Sequence, residues 1–242
     1  MKLFKKILLS IVILSVVIAV VKDKFFDTTG FALSRLAKAE TARMPSELVY
    51  RMYYWSVLPL GLLSFSNDHS EDDIIYSVKA DTRGGLLEKF IKTSASMESQ
   101  VTKNNNLPYQ YNEITVYREK TKQKKILFDQ ASLMVTRGER KIKLKQPTYD
   151  PVGAFAYLLT LTLKKGDVYK IPLLSEDDIY IMEAKGLEEK NGILKLSIDV
   201  KRENGTSSHG ANFHVWVATD RHNSPILFKS WTPVGYASVV LE

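Results

Sequence analysis

The sequence contains no cysteine. That excludes disulfides, cysteine-ligated metal centres, a thiol nucleophile and a lipid anchor attached through cysteine. The sequence also lacks the local patterns that announce common chemistries. There is no phosphate-binding glycine loop, no G-x-S-x-G, no H-E-x-x-H and no EF-hand loop. Glycine and proline, at 12 and 8 of 242 residues, are too few for a collagen-like or low-complexity chain. With 45% hydrophobic and 25% charged residues, the composition is that of a globular protein rather than a multi-pass membrane protein. The length fits one large all-β domain or at most two small ones.

What is present begins with three lysines among the first six residues, followed by Ile7 to Val21 without a charge. A basic stretch followed by 15 apolar or small residues is a secretory signal or a signal-anchor. Leu3 and Phe4, with snorkelling Lys5 and Lys6, extend it toward the ~20 residues of a membrane span. The lysines hold that end in the cytoplasm, so the rest is expected to be exported. Val17 and Ala19 fit the −3 and −1 positions of a cleavage site, but the β-branched run has no helix breaker, which favours an uncleaved anchor. The expected location is the periplasmic side of a bacterial inner membrane, anchored through residues 7–21, or the soluble periplasm if the segment is removed. Residues 25–46 read as a connecting helix ended by Pro45, and residues 47–242 as the folded domain.

From Leu48 onward, short runs rich in Val, Ile, Tyr, Phe and Thr alternate with turn residues every 8–12 positions. Fourteen such runs predict a mainly β fold, an antiparallel meander curled into a half-barrel or barrel. Asn191-Gly192 supplies the two positive-φ positions of a type I′ hairpin. Two helical stretches interrupt the pattern. Leu86–Ile91 is short. Asp150-Pro151 is a strong helix start, with Asp as N-cap and Pro at the first helical position. The helix it opens is apolar nearly all round and therefore buried, as a plug in or across the curved sheet. The space beside such a plug is either packed solid or a lipophilic cavity, with Phe155, Tyr157, Trp216 and Trp231 as candidate lining residues.

No residue set stands out as catalytic, cofactor-binding or metal-ligating. His69 lies in the acidic turn 67–73, whose spacing is not that of a calcium loop. His209 and His222 sit in polar loops, and His214 shares a strand face with Trp216. The basic segment is more informative. Arg118 to Lys145 holds ten Lys or Arg and three acids, an excess of +7 that equals the formal charge of the whole chain. Arg118, Lys120, Lys122 and Lys124 recur at period two, as do Lys141, Lys143 and Lys145 next to Arg140. On strands this puts the cations on one face and the apolar residues on the core face. That face is either a solvated, aggregation-resistant surface or a patch for an anionic lipid or another envelope component. Nucleic acid is not an expected partner, since no motif accompanies the charge.

Several segments resemble an exported bacterial family, domain of unknown function 3108. They are Tyr50–Trp55 with Leu58-Pro59-Leu60-Gly61, the Asp150–Leu158 helix start, Gly166–Pro172, and Phe213–Asp220 with Ser224-Pro225-Ile226. Two positions depart from it. Leu159 stands where members often carry Arg, so any role of that Arg is absent or relocated, and Asn191-Gly192 replaces a Thr-x-Ala-Gly-like turn. The resemblance implies a periplasmic, mostly β fold and brings no established catalytic residues. The function expected from all this is a non-enzymatic envelope protein that binds a lipophilic ligand or envelope component within its curved sheet. A scaffold for envelope assembly is the alternative, and a glycan-acting enzyme the third reading.

Overall fold

The computed structural model describes residues 46–242 except 57, 84–92, 118, 176–177, 204–211 and 233–234. The apolar run at 7–21, the helices expected at 25–46 and 86–91, Arg118 and His209 lie outside the described residues. No helix among the described residues is long and apolar enough to cross a membrane.

Fourteen strands follow one another in the described chain. The first eight are β1 (Glu47–Tyr54), β2 (Leu58–His69), β3 (Asp73–Asp81), β4 (Thr93–Thr102), β5 (Pro108–Tyr117), β6 (Lys120–Asp129), β7 (Met134–Arg137) and β8 (Arg140–Lys143). Helix α1 (Pro151–Thr160) follows. Then come β9 (Val168–Ser175), β10 (Asp178–Lys190), β11 (Ile193–Arg202), β12 (Asn212–Ala218), β13 (Ser224–Thr232) and β14 (Gly235–Leu241). All pair in one antiparallel sheet, in the order β8-β7-β6-β5-β4-β3-β2-β1-β14-β13-β12-β11-β10-β9. Every neighbour but one is a sequential hairpin, and the exception, β1 with β14, joins the two meanders. The sheet does not close: β8 and β9 are its edges, so the closed-barrel alternative is not formed.

Local chemistry explains the hairpins. Asn191 and Gly192 have φ of 53° and 71°, the two left-handed positions of the tight β10–β11 turn. Gly138, at φ 57°, turns β7 into β8. The acidic turn after His69 is held by Lys103 of the β4–β5 hairpin, whose ammonium donates to the carbonyls of Ser70 and Glu71.

Helix α1 lies against the sheet and joins its two halves. Val152 and Ala156 pack with Leu48, Tyr50, Phe65, Tyr111, Ile126 and Phe128 of the first meander. Ala154, Leu158 and Leu159 pack with Ile171, Met182, Leu194, Leu196, Val215 and Val217 of the second. Both ends of the helix are tied. At the start, Asp150 accepts from the backbone N–H groups of Val152 and Gly153, each at 2.9 Å. It also accepts from the Ser99 hydroxyl of β4 at 2.6 Å. At the end, Asn223 of the β12–β13 hairpin donates to the carbonyls of Leu159 and Leu161, at 2.9 and 2.7 Å. These carbonyls belong to the last turn, which has no partner of its own within the helix. The approach to the helix is fixed by Tyr149, which bridges β9 through Pro172 and Leu174, and by Gln130, which bonds both backbone groups of Thr148.

Asp150 is fully buried, and burial pushes its carboxyl up to about 6 against the lowering effect of Ser99 and the two amides. Gly153 is required for this contact, because a Cβ there would lie 2.8 Å from the Ser99 hydroxyl and 3.0 Å from the Asp150 carboxylate.

Two predictions follow from the anchor. Gly153→Ala should destabilise the domain by about 1–3 kcal/mol through overpacking. In the Ser99→Ala background the added cost should shrink, which a double-mutant cycle in urea reads as non-additivity. The second concerns pH. Asp150 titrates higher folded than unfolded, so the stability it lends is complete below about pH 4 and lost as pH rises through about 6. Two pH units correspond to about 3 kcal/mol. Urea midpoints between pH 4 and 7 should therefore fall for the parent and flatten in Asp150→Asn; an equal slope in both would rule Asp150 out as its source.

Candidate functional site

Cross-strand register sorts every strand residue to one of two faces, because side chains alternate and paired residues share a side. The inner face is the one covered by α1. One inner row runs Phe65, Val78, Met97, Glu113 and Lys124 across β2 to β6. The next runs Tyr76, Ser99, Tyr111 and Ile126. The opposite meander contributes Val215, Phe228 and Val239 in register. Phe228 meets Tyr50 edge-on at 5.7 Å and Phe155 of the helix at 5.6 Å.

This interior is not filled. A cavity of about 930 Å³ lies along α1 and the residues after it, walled by Phe65, Tyr76, Ala156, Leu159, Leu161 and Leu163. Its rim is polar, with Asn67, His69, Lys164, Glu189, Asp220 and His222. The volume is in the range of small-ligand sites, and the pairing of an apolar wall with a polar rim suits a lipophilic ligand. Leu159, the position where the resembled family often carries Arg, forms part of the wall and keeps it apolar there. Away from the cavity, Leu63, Val78, Met97, Val239 and Leu241 on the inner side are only partly buried.

The four aromatic residues expected to line a cavity do not line this one. Phe155 is occupied with Phe228, and Tyr157 stacks on Tyr149 at 4.9 Å. Trp216 and Trp231 are on the outer face. Val215 and Val217 point into the core, so Trp216 between them points out, over Leu227 and Val240. The Lys195 and Lys229 ammonium groups lie 5.3 and 5.9 Å from its ring, and His214 packs beside it at 6.2 Å. Burial, then the Lys195 charge, holds His214 below the usual histidine range. Trp231 is 69% exposed.

The basic residues also divide. Lys120, Lys122 and Lys124 share parity and face with Ile126 and Phe128, which are buried under the helix. They therefore stand on the inner face, not the outer one. Arg140 joins them there, in register with Arg137 and in phase with Ile142. Lys141 and Lys143 point the other way, opposite Thr136 and Met134 on the outer face. Lys145 follows buried Leu144 and pairs with Glu203 at 2.9 Å. The expected single cationic face is thus two. Strand β6 runs on past the part of the sheet that the helix covers, and there its inner positions turn from apolar to cationic. Lys124 is partnered: its ammonium is 3.7 Å from Glu113, which also accepts from Tyr111 at 3.1 Å. Burial raises the Tyr111 phenol, with the charges of Glu113 and Asp150 adding to it.

Among the described residues no group of three His, Asp or Glu is placed to hold a metal ion. The outer position of the tryptophans makes a simple prediction. Trp231→Phe should remove the largest share of acrylamide quenching among the three tryptophans, and filling the inner cavity should leave that quenching unchanged; protection by a cavity ligand would place Trp231 inside.

Comparison with known structures gives a likeness of fold. A β-barrel-like protein of domain of unknown function DUF1849 from Brucella abortus superimposes with a TM-score of 0.58 at 10% identity, over 84% of this chain and 98% of that one. A DUF1089 family protein from Pseudomonas aeruginosa gives a TM-score of 0.37 at 12% identity, over 78% and 92%. No curated protein matches the chain. Residues 49–242 match the family described as Protein of unknown function (DUF3108), and the chain belongs to that family.

Proposed function

We propose that the domain is a non-enzymatic binding module of the bacterial cell envelope, which holds a lipophilic ligand or envelope component against the inner face of its open sheet. The observation that carries this reading is the cavity of about 930 Å³ beside α1, walled by apolar side chains and open to a polar rim. An apolar wall opening on a polar rim is the arrangement of small-molecule sites rather than of a packed core. The apolar run at residues 7–21 supports an envelope location on the periplasmic side, as an anchor or as a removed signal. The β-barrel-like neighbour supports the fold on which such a site is built.

Native mass spectrometry of the protein purified from membranes should show a co-purifying lipophilic mass. Thr160 is exposed at the end of α1 and lines the cavity. Thr160→Trp should therefore fill the space while sparing the core, and deplete the adduct at least fivefold. A ligand-free parent protein, or an adduct equally abundant in folded Thr160→Trp, would overturn the reading.

A further inference from the structure

The inner face of the sheet has an electrical polarity along it. The row that begins at Phe65 in the cavity wall continues through Val78 and Met97, both partly buried and apolar, to Glu113 and Lys124. With ~4.8 Å between strands, its ends lie ~19 Å apart, comparable with an extended acyl chain. Beyond Lys124, on the same face, are Lys122 and Lys120. Glu113 is the one acid in these inner rows among the described residues, and it is already engaged by Lys124 and Tyr111. Lys120 and Lys122 are exposed and have no ion pair among the described residues. Arg137 and Arg140 continue the cationic rim on β7 and β8.

β7 pairs only with Leu127, Phe128 and Asp129 of β6, so Lys120 and Lys122 lie on an unpaired stretch of sheet edge, where lysines also guard against aggregation. Their side chains nonetheless stand on the inner face, in phase with Ile126 and Phe128, whereas Lys141 and Lys143 of β8 face outward. A concave surface that is apolar at one end and cationic at the other matches an amphiphile with an anionic head. The apolar part accepts the chain and the lysines replace the counterions of the head group.

We infer that the ligand is a single-chain or lipid amphiphile with a negatively charged head group, lying along the inner face with its head at Lys120 and Lys122 and its chain toward Phe65. This rests on the binding-module reading above and adds the ligand's class and direction.

The test is calorimetric titration of the folded protein with amphiphiles below their micelle concentrations. The probes are lysophosphatidylglycerol, lysophosphatidylcholine of equal chain length, the fatty acid of that length, and glycerol phosphate without a chain. The anionic amphiphiles should bind at least about tenfold tighter than the zwitterionic one. Comparing the fatty acid with lysophosphatidylglycerol then shows which kind of anionic head is preferred. Lys120→Gln/Lys122→Gln should abolish the anionic preference and leave lysophosphatidylcholine affinity unchanged. The outer-face control Lys141→Gln/Lys143→Gln should keep it. Equal affinity for the anionic and zwitterionic heads, an equal loss in the outer-face control, or glycerol phosphate binding as well as the whole lipid would overturn the inference while leaving the binding module standing. Absence of binding by every amphiphile would overturn both.

Discussion

The structure depends on how a single ten-residue helix is held against an open sheet. Fourteen strands in sequential hairpins make a surface with two unpaired edges and one apolar face, and such a surface is stable only when that face is covered. Helix α1 does so for both meanders at once, through Val152 and Ala156 on one side and Ala154 and Leu158 on the other. Polar contacts tie both of its ends in addition to this packing. Asp150 with Ser99 ties the start to β4, and Asn223 ties the end to the β12–β13 hairpin. Such a buried carboxylate is costly unless each hydrogen bond is made. Gly153 is what lets the carboxylate and the hydroxyl meet.

This arrangement also explains why the interior is unevenly filled. A helix of ten residues spans ~15 Å, while the strands it covers are longer and the sheet is wide. Near the helix the inner face is apolar and packed, as at Ile126, Val215 and Val217. Beside its last turn the walls part to leave the cavity. Farther along β6 the helix no longer reaches, and the inner positions become Lys124, Lys122 and Lys120. Cavity, half-covered apolar row and cationic rim are thus one consequence of a short plug in a large curved sheet. The outer face of the second meander is finished differently. Trp216, with Lys195 and Lys229 over its ring, covers Leu227 and Val240.

Much of this was legible in the residues. The fourteen strands, the Asn191-Gly192 turn and the Asp150-Pro151 helix start each rest on local rules, and local rules act whatever the surroundings. The two faces of the basic segment were legible too, in parity. Lys120, Lys122 and Lys124 are in phase with Ile126 and Phe128, whereas Lys141 and Lys143 are out of phase with Ile142. Taking the two period-two runs as one face, without carrying the parity of Lys124 on to Ile126, put all the cations on one side. The tryptophans erred for a similar reason, since large aromatics suit a cavity wall and a strand's outer cover equally. Alternation between Val215 and Val217 decides the matter only once the core side is known.

By itself, then, the sequence determined the class of fold, the hairpin order and the helix that interrupts it. Each follows from periodicity, capping and turn chemistry within a few neighbouring residues. The tertiary structure alone decided that β1 pairs with β14, that the sheet stays open at β8 and β9, and that a cavity remains beside Leu159. These are matters of closure and volume. They depend on how far one helix reaches across a sheet whose strands come from opposite ends of the chain, and no local pattern encodes a distance between residues that are far apart in sequence.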